Sequence, residues 1–214
     1  MTVPVPSPIY RIVHVGNLPV ILQRGGLHAP NHAPNDGLIY RTIHNVDIQN
    51  VRQIRRIPLG LCGTIHDYVP FYFGPRSPML YQLHTGWVPS YNEGQSPLIY
   101  LVSTVQVVVK AGLRWVFSDG HGIAIFTSWF DNLAHLTKVD WDTVYARLWR
   151  DTVDDMDRQR RKQAEFLVHE FCPWEVIQEI GVTDGVAQAQ VEAILKQFDT
   201  NMRRLVHIRG EWYY

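Results

Sequence analysis

Extended and helical segments are mixed along this chain without a regular strand–helix–strand rhythm, and this pattern constrains the fold most. Parallel sheets need crossovers, usually helical, at steady intervals. The irregular order therefore predicts an α+β domain with largely antiparallel sheets. Residues 9–15 (IYRIVHV) read as a short strand. Asn17 then caps a helix through Leu18, Ile21 and Leu22, which Gly25-Gly26 stops. Residues 26–39, dense in His, Pro, Asn and Gly, form a loop. A helix follows over 47–55, with Ile48 and Val51 on its buried side, and 66–73 is extended and aromatic. Ser77-Pro78 supplies the cap and first turn of a helix through Leu80 and Leu83. A strand at 98–102 leads to a helix at 104–111 that Gly112 ends. Short strands at 115–117 and 123–126 flank the turn Ser118-Asp119-Gly120-His121-Gly122. Helix and loop over 128–162 precede a strand at 165–169, an amphipathic helix at 184–198 and closing strands at 205–209 and 212–214.

Length and composition set the outer limits. The 214 residues suit a single domain, 1–214, able to bury a real core. With 46% hydrophobic and 19% charged residues, disorder is excluded. Two cysteines, Cys62 and Cys172, cannot build a disulfide framework, and no CxxC or His/Cys cluster has zinc-ligand spacing, so no metal is expected. The opening stretch shows no basic segment followed by an apolar one, and no apolar run approaches about 18 residues. A reducing cytoplasm, with no membrane partner, is the expectation. The zero net charge is unevenly spread. Residues 1–118 hold nine Lys/Arg against four Asp/Glu, and 119–214 hold eleven against sixteen. Nucleic-acid binding needs local basic surface rather than a basic average, so this asymmetry permits such a partner.

The chain has no Walker phosphate loop, Rossmann glycine fingerprint or nucleophile elbow. Its most unusual segment runs from His66 to Leu80 (HDYVPFYFGPRSPML), where aromatics, prolines and one arginine stand between a strand and a helix start. Ring-stacking residues beside helix-terminal N–H groups suit a flat base or nicotinamide next to a phosphate. The same composition also fits an aromatic core strand followed by an ordinary turn. Glu165 lies in an otherwise apolar strand, Ala164 to Val168. Carboxylates are disfavoured there, so it either faces solvent on an edge beside Lys162 or carries chemistry. Residues 147–162 interleave arginines with Asp151, Asp154, Asp155 and Asp157, the pattern of a solvated helix with internal ion pairs.

The segment HDYVPFYFGPRSPML resembles the hallmark of the DarT family, toxins of DarT–DarG toxin–antitoxin pairs. Three further segments agree in order: Pro8 to His14 with Asn17-Leu18 and Ile21-Leu22, Ser118-Asp119-Gly120-His121, and Lys162 to Val168. The stretch Pro58 to Gly63 departs from the more Pro/Gly-rich turn of the family. The resemblance implies an ADP-ribosyltransferase fold in which two small, mostly antiparallel sheets and surrounding helices form an NAD⁺ cleft. It implies transfer of ADP-ribose to thymine in single-stranded DNA, and a DarG-like macrodomain antitoxin as partner. Carried onto this sequence, it makes Glu165 and Arg52 the catalytic pair, with Arg55 and Arg56 near enough for the arginine to slip. It places His14, Tyr72, Met79 and His121 around NAD⁺, and Arg76, Arg158, Arg160 and Arg161 along the DNA. Two rival expectations remain open: a related NAD⁺-dependent transferase acting on RNA, protein or another base, and a non-catalytic single-stranded nucleic-acid-binding module. Release of nicotinamide separates the second from an enzyme.

Overall fold

Strand pairing in the computed structural model, which describes residues 2–214, builds one eight-stranded sheet and a small two-stranded one. The strands are β1 (Pro8–His14), β2 (Gly26–His28), β3 (Tyr68–Tyr72), β4 (Leu98–Thr104), β5 (Trp115–Ser118), β6 (Trp129–Phe130), β7 (Glu165–His169), β8 (Phe171–Pro173), β9 (Glu179–Val182) and β10 (Leu205–Ile208). The large sheet runs β10-β9-β4-β1-β3-β7-β5-β6, and β2 pairs with β8. Every pairing is antiparallel except β9 with β10.

The ladder is nearly broken at its centre. β1 pairs with β4 along seven residues and β3 with β7 along five, yet β1 and β3 meet only at Tyr10 and Tyr72. The large sheet is therefore two four-stranded halves joined at one residue pair. These halves are the two sheets that the family resemblance predicts. Beyond the junction a side chain replaces the backbone ladder, and Arg11 Nη1 donates to the Pro70 carbonyl at 2.8 Å. β4 is buried on both faces, which explains its unbroken apolar run. Ile99 and Leu101 join the main core with Val13, Phe71, Phe166 and Trp174. Leu98, Tyr100 and Val102 face Leu80, Leu83 and Tyr213 on the other side. Each such large side chain contributes about 1.5–3 kcal/mol by burial.

The helices are α1 (Leu18–Gln23), α2 (Val46–Ile54), α3 (Pro78–His84), α4 (Val105–Lys110), α5 (Trp141–Tyr145), α6 (Arg158–Lys162) and α7 (Gly185–Leu195). Ser77 caps α3 through Leu80 N, as the sequence indicates, and Thr104, read from sequence as the first residue of its helix, caps α4 through Val107 N. Several expectations fail for physical reasons. Asn17 makes no cap bond for α1, because both polar atoms of its side chain hold the backbone of Arg41. Val51 is 40% exposed and the buried residue of α2 is Arg52, because this helix faces a polar cleft instead of the core. Residues 123–126 form a tight turn, and the strand after it is β6. Residues 212–214 pair with no strand. Trp212 instead covers Gly181, where a Cβ would sit 2.4 Å from the ring, and the Tyr213 hydroxyl donates to Leu98 O and Gly181 O.

Gly74, just after β3, has the same kind of close approach. A Cβ there would lie 2.6 Å from the Val144 carbonyl oxygen at the end of α5. Gly74→Ala is expected to lower unfolding free energy by about 1–3 kcal/mol, as overpacking does, with little change in the urea m-value. Equilibrium urea unfolding of the two proteins measures it, and an unchanged midpoint would contradict the contact.

Candidate active site

Where β1 and β3 part, a cleft of about 540 Å³ opens, a size typical of sites for cofactor-sized ligands. β1 and β3 form its walls through Arg11, Val13, Phe71 and Tyr72, and α2 contributes Ile48, Gln49 and Arg52. A strap over residues 28–45 crosses one side, contributing His28, Tyr40, Arg41 and His44. Four arginines line this cleft, Arg11, Arg24, Arg41 and Arg52, against one carboxylate, Glu165. Arg24 is neutralised by a bidentate pair with Asp36. Arg41 pairs with Glu93, which lies outside the lining, and Arg52 with Glu165, so the positive excess rests on Arg11, bonded to a backbone carbonyl; such a cation suits an anionic ligand such as a dinucleotide pyrophosphate.

Glu165 opens β7 opposite Tyr72 and is 1% exposed. Arg52 reaches it from α2 with two parallel hydrogen bonds, Nη1 to Oε1 at 3.0 Å and Nη2 to Oε2 at 2.8 Å. Gly122 N donates to Oε1 at 2.9 Å. The backbone N–H of Glu165 donates to Ser118 Oγ, which in turn donates to Gly120 O, so the turn 118–122 wraps the carboxylate. Burial alone would push this carboxyl upward. The charge and hydrogen bonds of Arg52, with the Gly122 N–H, outweigh burial and hold it below the usual range. For Arg52 the same pairing outweighs burial and raises its pKa. His121, beside them, is pushed down by burial and stays neutral near pH 7 despite the attraction of Glu165. Burial and the Glu165 charge raise Tyr72, so it stays protonated, and its hydroxyl lies 3.8 Å from Met79 Sδ. Lys162, 2% exposed, secures the approach to β7 by donating to Val144 O and Ala146 O. Burial, with Arg76 nearby, pushes its pKa down to about 7.

The structure thus gathers Glu165, Arg52, Tyr72, Met79 and His121 in one cleft. His14 lies outside that lining. Its Nδ1 accepts from Gly16 N, capping the turn after β1, and its Nε2 stands 3.6 Å from Glu93. The four arginines expected along DNA are engaged elsewhere. Arg76 stacks 4.7 Å over the Tyr214 ring. Arg158 donates to Leu148 O. Arg160 binds Asp157 and Asp119, and Arg161 binds Asp155 and Asp140. The ion-pair pattern written into residues 147–162 accounts for two of these four, Arg160 and Arg161. Arg11, Asn17, Arg41, His44, Gln49 and His66 line the cleft without having been singled out. Arg11 lies on β1 and Asn17 just after it, Arg41 and His44 follow the His/Asn-rich loop, Gln49 is on α2 and His66 precedes β3, so no common local signal marks them.

A family model described as "ssDNA thymidine ADP-ribosyltransferase, DarT" matches residues 10–214. The chain belongs to the DarT family. The DNA ADP-ribosyl transferase of Thermus sp. (strain 2.9) is 43% identical over 213 residues, covering 100% of this chain and 99% of the relative. That of Escherichia coli O127:H6 is 35% identical over 209 residues, covering 96% and 93%. The structure of Thermus sp. 2.9 DarT in complex with ADP-ribosylated ssDNA matches with a TM-score of 0.93 at 42% identity, covering 100% of this chain and 99% of that one. The Thermus sp. 2.9 DarT complex with NAD⁺ matches at 0.89 and 42%, with both chains fully covered. The fold is therefore the DarT ADP-ribosyltransferase fold. The enzyme transfers ADP-ribose from NAD⁺ to thymidine in single-stranded DNA.

Because the Arg52–Glu165 pair is buried, removing one partner leaves the other charge uncompensated. Arg52→Met is expected to cost about 3–5 kcal/mol at neutral pH. The two proteins should also differ in the sign of their pH dependence. In the wild type the lowered Glu165 pKa gives stability present above the unfolded carboxyl's pKa and lost as pH falls through the folded value. In Arg52→Met the main influence opposing burial is gone and burial raises that pKa, so stability falls as pH rises through the raised value. Urea unfolding at about pH 3, about pH 5 and about pH 8 tests the reversal, with the wild type losing stability between the lower two and the variant between the upper two. A wild-type slope in the variant would contradict it.

Proposed function

We propose that Glu165 and Arg52 carry the transfer and divide it between the two reacting partners. Breaking the nicotinamide–ribose bond builds positive charge on the ribose carbon, as in glycoside hydrolysis. A carboxylate held ionised in a buried site stabilises that charge through a hydrogen bond with the ribose 2′-hydroxyl. A new bond forms from the ribose carbon to a thymine ring nitrogen, nicotinamide departs, and Glu165 receives the proton released from that nitrogen. A guanidinium has five N–H donors, and Glu165 engages two of those on Arg52. The other three are free to steady the negative charge that grows on the thymine as it loses its proton. The buried bidentate pair on the cleft wall is the observation that carries this reading.

Tyr72 and Met79, joined through their hydroxyl–sulfur contact, supply a half-buried flat surface for the nicotinamide. Arg11 supplies a cation for the pyrophosphate, and Arg41 joins it by exchanging its Glu93 partner for the phosphate. The family resemblance adds a biological setting: a toxin acting in the cytoplasm, restrained by a DarG-like macrodomain that removes the mark. A glycosidic bond on the thymine imide edge blocks base pairing, so a cell that carries this activity needs its reversal.

Glu165→Gln keeps the shape of the side chain and removes its charge. It is expected to lower transfer by about 10²-fold or more, the usual size of a lost electrostatic stabiliser. NAD⁺ affinity by calorimetry and the far-ultraviolet spectrum should stay close to the wild type. Transfer at more than a tenth of the wild-type rate would remove Glu165 from the chemistry.

Acceptor choice has its own test. Oligonucleotides of matched sequence are offered as a single strand, as a duplex, as a thymine-free strand and as RNA. Mass spectrometry should find ADP-ribose only on the thymine-containing single DNA strand, because pairing hides the imide edge and flipping it out costs free energy. Labelling of the duplex or the thymine-free strand at the same rate would contradict the base assignment.

A further inference from the structure

The turn after Gly122 is rigid and yet presents two large apolar side chains to water. Ala124 N donates to His121 O, Thr127 N to Ala124 O and Thr127 Oγ1 to His121 O. Arg160 fixes Thr127 from behind. On this frame Ile125 is 80% exposed and Phe126 86%. Adjacent large hydrophobics held out on an ordered turn incur a solvation cost that no packing within the chain offsets. Fold requirements do not explain them.

Their position relates them to the cleft. His121 and Ile123, in the same turn, line it. Arg55, at the end of α2, donates through Nη2 to Ala124 O at 2.8 Å, fastening that end of the helix to the turn. Ile54, 76% exposed, precedes it. Arg55 has no carboxylate partner among the described residues, so it keeps its charge and its remaining N–H donors. An apolar, ring-bearing surface with an uncompensated cation therefore continues the cleft outward past the Glu165 carboxylate.

The segment leading into α6 exposes Leu148, Val153 and Met156 too, but among Asp151, Asp154, Asp155 and Asp157, and aspartates hold Arg160 and Arg161 there. No aspartate holds Arg55 among the described residues, so its charge is open to a phosphate.

We propose that the Ile125–Phe126 turn is a stacking platform for the bases that flank the acceptor thymine, with Arg55 facing their phosphates. This rests on the reading that the acceptor sits in a DNA single strand. Stacking on Phe126 is sequence-tolerant and needs unpaired bases, so the platform favours single strands over duplex before any hydrogen bond reads the thymine. It also makes the enzyme sensitive to acceptor length, because a lone thymidine has no neighbour to stack.

Steady-state kinetics with NAD⁺ saturating and the strand varied tests the proposal in Phe126→Ser, Phe126→Trp and Leu148→Ser. Both positions are exposed, so the core is untouched. Phe126→Ser should raise KM for a thymine-containing strand of about ten nucleotides by about 10-fold, the size of one lost base–aromatic stack, and leave kcat within about two-fold. Phe126→Trp should keep or lower the wild-type KM. Leu148→Ser, among the aspartates, should match the wild type. Shortening the acceptor to a trinucleotide should raise KM in the wild type far more than in Phe126→Ser. Equal KM in Phe126→Ser and wild type, or equal length dependence, overturns the proposal, and a platform for a protein partner would give that result. A wild-type enzyme that labels no single strand would instead overturn the acceptor reading itself, so the two failures are distinguishable.

Discussion

A charged pair buried where two half-sheets separate sets the terms for the rest of this molecule. Arg52 and Glu165 are 6% and 1% exposed and share two hydrogen bonds. Desolvating two such charges costs several kcal/mol each, and good geometry with extra hydrogen bonds is needed to offset it. The surrounding chain supplies that geometry from three directions. β7 fixes the carboxylate, α2 turns an arginine inward where a helix would normally place an aliphatic residue, and the turn 118–122 brings a backbone N–H to Oε1. A Cβ at Gly122 would lie 3.2 Å from that oxygen, so a bare backbone lets the turn come this close. Fold stability alone does not call for so much polar construction in the interior, whereas a pre-ionised, fixed carboxylate is what a cationic transition state requires.

The nearly broken ladder follows from the same demand. A continuous sheet would fill the space between β1 and β3 with paired backbone and leave no cleft. One pair, Tyr10 with Tyr72, keeps the halves in register, and the hydrogen bond from Arg11 to Pro70 carries the wall past it. The strap over 28–45 is fastened around the opening by side chains. Asn17 holds the backbone of Arg41 at 2.8 and 2.7 Å, Asn31 and His32 reach Asp67, and Arg24 holds Asp36. Side-chain ties of this kind replace core packing in a segment that must stand beside a ligand.

Regular elements with local signals were legible in the sequence. The Ser77-Pro78 and Thr104 starts, the apolar run of β4 and the Glu165 strand need nothing beyond neighbouring residues. Misses came where a distant partner decides. Asn17 reads as a helix cap, but Arg41, far along the chain, claims its side chain. The periodicity of α2 points to Val51, and only the location of Glu165 explains why Arg52 turns inward instead. Residues 123–126 are a short apolar run that reads as a strand, but the turn that closes around Glu165 holds them out of the sheet. Glu165 and Arg52, proposed as the catalytic pair, were named through family resemblance. Composition left Glu165 as readily an edge residue, because a carboxylate in a strand looks alike until its partner, 113 positions away, is known.

The distribution of charge reconciles a polyanionic substrate with a chain of zero net charge. The basic surplus lies in residues 1–118, and these supply all four arginines of the cleft. The second half supplies Glu165 together with aspartates that hold two of its own arginines, as Asp119 and Asp157 do Arg160 and Asp155 does Arg161. The zero total is therefore a sum of local surpluses, and a polyanion meets the local surface, not the sum. Charge does not separate single strands from duplex, because both carry phosphates. The selectivity proposed here falls to the bases: the aromatic segment within the cleft and the exposed Phe126 ring at its edge. Such contacts are unavailable in a duplex, whose base faces are stacked and whose imide edges are paired.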